Sequence, residues 1–196
     1  VPTLAAAEAL LPGDILLQVD GQWVGDDLYL LDRLIDQKSG GEVTLEVARA
    51  GVRRSVRLKV QPAEDLKIRR FIRFAGGVLH DLTPELRLEY NFESRGVFLA
   101  QIDRGSTMDA AASEVRPNQT AAVIEAVNST PTPDLASFIA AVRPLRDGDA
   151  IYILLRDRGR QRSELRAFPL RLGLRFSPLQ VSRWDDKTRD WVVSAP

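Results

Sequence analysis

Phe74-Ala75-Gly76-Gly77 is the stretch of this 196-residue chain whose residue types best suit a chemical task, and the task is binding. Glycine accepts backbone angles closed to other residues, so a turn through Gly76-Gly77 can point successive N–H groups one way. Such a nest, with Ala75, Gly76 and Gly77 as donors, holds a carboxylate. The strand that runs on through Val78, Leu79 and His80 can pair with a peptide whose C-terminus sits in the nest, which is strand addition combined with carboxylate capture. Leu135, Phe138, Ile139 and Val142 make one face of a predicted helix and are expected to wall the same groove. In most proteins a face like this is core, and one helix can divide its residues between the two roles. The candidate peptide-binding residues are therefore Phe74, Ala75, Gly76, Gly77, Val78, Leu79, His80, Leu135, Phe138, Ile139 and Val142. Burying one apolar terminal side chain is worth ~1.5 to 3 kcal/mol, so pocket, strand pairing and carboxylate together predict micromolar capture, about −8 kcal/mol.

Other residue patterns lead away from catalysis. Ser39-Gly40-Gly41 has the glycines of a nucleophile turn, but Gln37-Lys38 precedes it and it falls where a helix should stop, where glycine does ordinary C-cap work. His80 is the one histidine and the chain has no cysteine, which leaves no thiolate or imidazole pair for a metal and no disulfide. Asp26-Asp27 and Asp185-Asp186 lack an apolar setting that would shift a carboxylate toward acid-base work. Arg156 to Arg162 is basic but short and contains Asp157, which reads as a solvated hairpin tip. No catalytic residue, metal set or cofactor is assigned.

Composition narrows the partners. The 27 basic and 27 acidic residues cancel, so no large single-sign field draws nucleic acid or an anionic membrane. Apolar residues make up 44% of the chain, enough for a real core, yet no apolar run approaches the ~20 residues of a membrane-spanning helix. The start Val1-Pro2-Thr3-Leu4 has no basic n-region and no methionine, and the chain is expected to begin inside a longer protein whose compartment its own residues do not reveal.

The elements that must position the groove follow from periodicity. Ile15 to Val19 reads as a buried strand and Asp20-Gly21 as a turn. Asp26 is expected to cap a helix to about Gln37 with Leu28, Leu31, Leu34 and Ile35 on one face, stopped by Gly40-Gly41. Val43, Leu45 and Val47 alternate, as do Val56, Leu58 and Val60, which makes a hairpin across Ala50-Gly51. Pro62 to Lys67 reads as a linker. Thr83-Pro84 starts a short helix, Arg95 to Ile102 a strand, and Asp109 to Glu114 a further helical piece. Ala122 to Val127 is strand, Thr132-Pro133-Asp134 opens the helix that carries Leu135, and Ile151 to Leu155 with Leu165 to Leu172 makes a last hairpin. Leu28, Leu31 and Ile35 fall on Leu135, Phe138 and Val142 at one constant offset. Strand, turn, helix, glycine stop and hairpin thus occur twice, and duplication of a domain is the simplest cause.

Leu11-Pro12-Gly13-Asp14-Ile15-Leu16-Leu17-Gln18-Val19-Asp20-Gly21 resembles the signature strand of PDZ domains of the kind attached to HtrA/Deg-type serine proteases. Phe74-Ala75-Gly76-Gly77 with His80-Asp81-Leu82-Thr83-Pro84-Glu85-Leu86 resembles the carboxylate-loop end of a second one. Phe168-Pro169-Leu170 with Arg183 to Thr188 and Trp191 is similar to the C-terminal segment of the large multi-PDZ Deg proteases of fungi. The resemblance implies an α/β (α+β) fold of two PDZ-like modules, each a small, partly open antiparallel barrel or sandwich capped by helices. Residues 1–62 would be module one, truncated at its first strand, 68–175 module two, and 176–196 a tail. The groove of module one is absent or supplied from upstream of Val1, and in module two Ala121-Ala122 replaces the signature's Gly-Asp after a longer loop, Asp109 to Thr120.

The implied function is regulatory recognition of C-termini or extended segments of unfolded substrates in protein quality control. The implied partners are those peptides, the parent's protease domain and, in a homo-oligomer, further copies of the chain, in an extracytoplasmic compartment if bacterial. The alternative is a structural module that spaces protease subunits, its groove plugged by Trp184 and Trp191 of the tail or by a neighbouring subunit.

Overall fold

A computed structural model of the chain describes residues 6, 9–112, 121–158 and 163–194. It divides into two units, Pro2–Lys67 and Ile68–Pro196.

In the first unit the alternating stretches form the antiparallel sheet β2-β1-β3-β4, from β1 (Ile15–Val19), β2 (Gln22–Trp23), β3 (Glu42–Arg49) and β4 (Val52–Lys59). Val43, Leu45 and Val47 point to one side of β3 and are buried with Val19, Val24 and Leu58, while the residues between them face outward, as a period of two requires. Helix α1 (Leu28–Asp36) lays Leu30, Leu31, Leu34 and Ile35 on that core. Its cap is Asp27, whose Oδ1 accepts the Leu30 N–H at 2.9 Å, one residue later than Asp26, the cap expected from sequence. That shift turns Leu28 out to solvent, 69% exposed, and brings Leu30 into the packed face. Asp14 closes the unit's edge: its two oxygens accept from Nε and Nη2 of Arg49 at 2.7 and 2.6 Å. A short helix α2 (Ala63–Leu66) occupies the expected linker.

The second unit is built on one long antiparallel sheet in the order β11-β10-β8-β7-β6-β5-β12-β13, open at both ends, with β9 paired to β8. Its elements are β5 (Arg70–Phe74), β6 (Gly77–Asp81), α3 (Pro84–Glu89), β7 (Val97–Ile102), α4 (Thr107–Ala112), β8 (Ala122–Val127), β9 (Thr130–Pro131), α5 (Leu135–Val142), β10 (Ala150–Arg158), β11 (Ser163–Arg171), β12 (Gln180–Asp185) and β13 (Asp190–Ser194). The main core joins Ile72, Phe74, Leu79, Leu135, Phe138 and Ile153, and a smaller cluster of Leu82, Phe92, Ala121 and Val123 lies under α3. Most of the long loop expected from Asp109 to Thr120 lies outside the described residues.

The segment 176–196, set apart as a tail in the sequence reading, instead supplies two strands to this sheet. Val181 lies opposite Ile72 and Ser182 opposite Phe71. Trp184 and Trp191 form a cross-strand pair 5.6 Å apart, and Trp191 meets Phe71 edge-on at 4.7 Å. Such pairs hold neighbouring strands together, so the tryptophans fasten a strand rather than plug a groove.

The internal repeat extends to single hydrogen bonds. The Asp20 carboxylate accepts from the Thr44 N–H, and the Asn128 side-chain oxygen accepts from the Tyr152 N–H, each at 2.8 Å. In both turns the residue concerned has φ of 48°.

Candidate peptide-binding site

Phe74 and Gly77 face each other across a two-residue turn, Ala75-Gly76, with φ of 53° and 87°. Both central residues of a type I′ hairpin turn need positive φ, and Gly76 meets that need without strain. The turn is packed rather than open. The Ala75 carbonyl accepts from Met108 N–H at 3.0 Å and from the Thr107 hydroxyl at 3.2 Å, and the Gly76 carbonyl accepts from Asp103 N–H at 2.8 Å. A Cβ at Gly76 would stand 2.0 Å from the Ser106 Cβ. The Ala75 N–H, one of the three donors expected for the nest, donates to the Ser177 carbonyl at 3.2 Å.

The strand edge expected to receive a peptide is also engaged. β6 has β7 on one side and β5 on the other, with Phe71 opposite His80 and Ile72 opposite Leu79. Strand addition needs an unpaired edge, and β6 has none. β5 runs antiparallel to β6 and ends at the turn with Phe74 fully buried, its ring 5.7 Å from Phe138 and near-perpendicular to it. This is the position and direction that the sequence reading gives to an incoming peptide, occupied by the chain itself. It corrects the open groove expected there: a tight hairpin lets β5 follow β6 directly.

The remaining expected residues divide accordingly. Leu79, Leu135, Phe138 and Val142 belong to the core, Val78 is half-buried, and Gly77 lies against Leu99 and Met108. His80 is 5% exposed and packs on Phe98 at 5.2 Å. Its Nδ1 lies 2.8 Å from the Asp81 carbonyl, which can only accept, so Nδ1 carries the proton. Burial pushes the imidazole below its ordinary pKa, with the Asp81 contacts opposing the shift. Helix α5 is fixed at its start by two carboxylates. Asp134 Oδ1 accepts from Ser137 N–H at 2.8 Å, and Asp81 Oδ1 accepts from Leu135 N–H at 2.7 Å. The Ser137 hydrogen bonds hold Asp134 below the usual carboxylate range.

Ile139 lines a cavity of about 240 Å³ together with Arg70, Ala136, Ala140, Arg143, Val181, Arg183 and Ser194. Sequence reasoning missed these seven. Ala136, Ala140 and Arg143 share a helix face with Ile139 and were legible by spacing, whereas Arg70 and Arg183 meet only through the pairing of β5 with β12. Among the described residues no group of three His, Cys, Asp or Glu side chains stands close enough to hold a metal ion. No helix among them is long and apolar enough to cross a membrane.

Duplicated sheet-and-helix units, the second entered at a glycine turn, fit one class, and the chain belongs to it: it is a tandem of PDZ domains of the kind found in HtrA-type serine proteases. The profile of the PDZ domain matches residues 2–60 and that of the PDZ-like domain residues 65–148. Fungal proteins are among those it resembles. The pro-apoptotic serine protease NMA111 of Yarrowia lipolytica is 26% identical over 156 residues, 80% of this chain and 15% of the relative. The protein of the same name from Aspergillus clavatus is 27% identical, over 79% of this chain and 15% of its own length. That of Saccharomyces cerevisiae is 24% identical over 69% of this chain and 13% of its own length. The chain thus spans about a seventh of the relatives it matches. PDZ domains are peptide-binding and, in this setting, regulatory modules.

Proposed function

We propose that the chain is the regulatory, non-catalytic part of an HtrA-type serine endoprotease, presenting C-termini or extended segments of unfolded proteins to a protease domain elsewhere in the parent. In this reading the second module keeps the slot beside β6 filled by β5 and contributes a rigid, position-setting sheet. The observation that carries the reading is the succession of two PDZ-type units, matched over residues 2–60 and 65–148; the antiparallel pairing of β5 along β6, with Phe74 inserted against Phe138, bears on where substrates are met. A peptide that took the place of β5 would have to expose Ile72 and Phe74, both fully buried. Re-exposing such side chains costs about 1.5 to 3 kcal/mol each, a large share of the −8 kcal/mol or so of a micromolar complex. Substrates are therefore met elsewhere on the module.

Hydrogen exchange of the peptide-free chain tests the filled slot. Amides of 70–74 and 77–81 should be protected to the same degree as those of β7, because all three strands open together. Exchange of 70–74 within seconds, beside a protected β7, would show a slot that stands open to a peptide and overturn the filled slot.

A further inference from the structure

Three arginines, Arg70, Arg143 and Arg183, line the cavity between α5 and the β12–β13 end of the sheet. On α5, the core takes Leu135, Phe138 and Val142, and the next face along presents Ala136, Ile139, Ala140 and Arg143 to the cavity. On the sheet, Arg70 is directly opposite Arg183 and Ile72 opposite Val181, so residues two apart on β5 and β12 share a face and bring Arg70, Arg183 and Val181 to one side. Ser194, opposite Val181 on β13, completes the wall.

The charges are poorly matched. Arg70 has the Asp81 carboxylate at 3.6 Å, a contact too long for a hydrogen bond. Arg143 and Arg183 have no ion-pair partner among the described residues. Like charges directly opposite on neighbouring strands destabilise a sheet, and Arg70 facing Arg183 is such a pair. An anion lying between them would turn that repulsion into attraction. Guanidinium forks suit a carboxylate in particular.

The cavity also has an apolar part that a bare anion would not use. Ile139 is 9% and Val181 5% exposed, and the two alanines keep the opening wide. Its volume of about 240 Å³ falls below the roughly 300 to 1,000 Å³ of drug-sized sites, which suits a small group rather than a long ligand. β13 pairs with β12 alone among the described residues, which leaves its outer edge for an extended chain leading up to the cavity.

We propose that this cavity is a carboxylate-binding pocket that takes the aliphatic C-terminal residue of an extended peptide, in place of the filled slot beside β6. The proposal rests on the regulatory peptide-binding reading and gives it a second location. The aliphatic floor discriminates a peptide terminus from inorganic anions, and the arginines discriminate a free from a blocked terminus.

Fluorescence anisotropy with N-terminally labelled hexapeptides ending in Val, Leu or Ile tests it, using the whole chain. Free-acid peptides should saturate, and the amidated forms should bind at least tenfold more weakly. R183Q and R143Q should each weaken the free acid about five- to twentyfold while leaving the amidated peptide unchanged. Ala140→Leu should abolish binding by filling the cavity; the position is exposed on its helix, and circular dichroism checks that the fold is kept. Peptide binding that ignores all three substitutions would overturn the pocket and leave peptide recognition standing at another place. No binding of any peptide would overturn both. Inorganic phosphate displacing label at the affinity of the peptide itself would overturn the assignment to a peptide terminus.

Discussion

The imidazole of His80 donates its Nδ1–H to the Asp81 carbonyl and lies against Phe98 in a nearly closed site. Desolvation disfavours the charged ring, so its pKa in the folded chain is below the ordinary 6.5. As pH falls through about 6.5 the unfolded chain takes up a proton that the folded one still refuses, and stability drops; the loss levels off below the folded pKa. His80→Gln should therefore flatten the stability difference of the second unit between pH 7.5 and pH 5. Urea midpoints at the two pH values, compared between the chain and the variant, check this; an equal loss in both would place the acid sensitivity on other groups. The residue's strand position was legible in the sequence through the run Gly77 to Asp81. Its burial was not, because that depends on Phe98 meeting it from β7, a contact no local pattern announces.

At the scale of elements, helix α5 connects two of the features described above, since one of its faces closes the core and the next lines the arginine cavity. Its start is held by Asp134, two residues after Thr132, where a repeat of the Thr83-Pro84 start would put the cap, and by Asp81 reaching across from β6. Losing an N-cap carboxylate costs about 0.5 to 2 kcal/mol. Asp134→Ala should lower the second unit's stability by about that much while Asp134→Asn, which still accepts a hydrogen bond, loses less; thermal melts of the two variants give the comparison. Glycine stops and alternating strands were readable because each is decided within a few residues; of the caps, Thr83 was read in place, while the other two fall one and two residues later than expected. The partner of β6 was not: the same Gly-rich turn serves a nest or a type I′ hairpin, and only the destination of β5 separates them. The strands at 180–185 and 190–194 were missed for a related reason, since Trp184, Trp191 and Phe71 lie far apart in the chain and meet only when β12 pairs with β5.

At the scale of the whole molecule, duplication has left two units with separate cores and unequal resources. The first buries Val19, Val24, Val43, Leu45, Val47 and Leu58, and its helix α1 has no fully buried residue. The second has both a larger core and a longer sheet. Small units bury a smaller fraction of their surface and are correspondingly marginal, so urea should unfold the chain in two transitions, with Pro2–Lys67 in the earlier one. Asp14 distinguishes them. The hydrogen bonds from Arg49 hold its carboxyl at about 2, below the 3.8 of a free aspartate, so its contribution is present above pH 3.8 and fades as pH falls through about 2. Asp14→Asn should accordingly advance the first transition at pH 7, leave the second in place, and differ little from the unsubstituted chain near pH 2. Tryptophan fluorescence separates the transitions, because Trp23 reports the first unit and Trp184 with Trp191 the second. A single transition moved as a whole by Asp14→Asn would mean that the repeats, separate in their cores, unfold as one body.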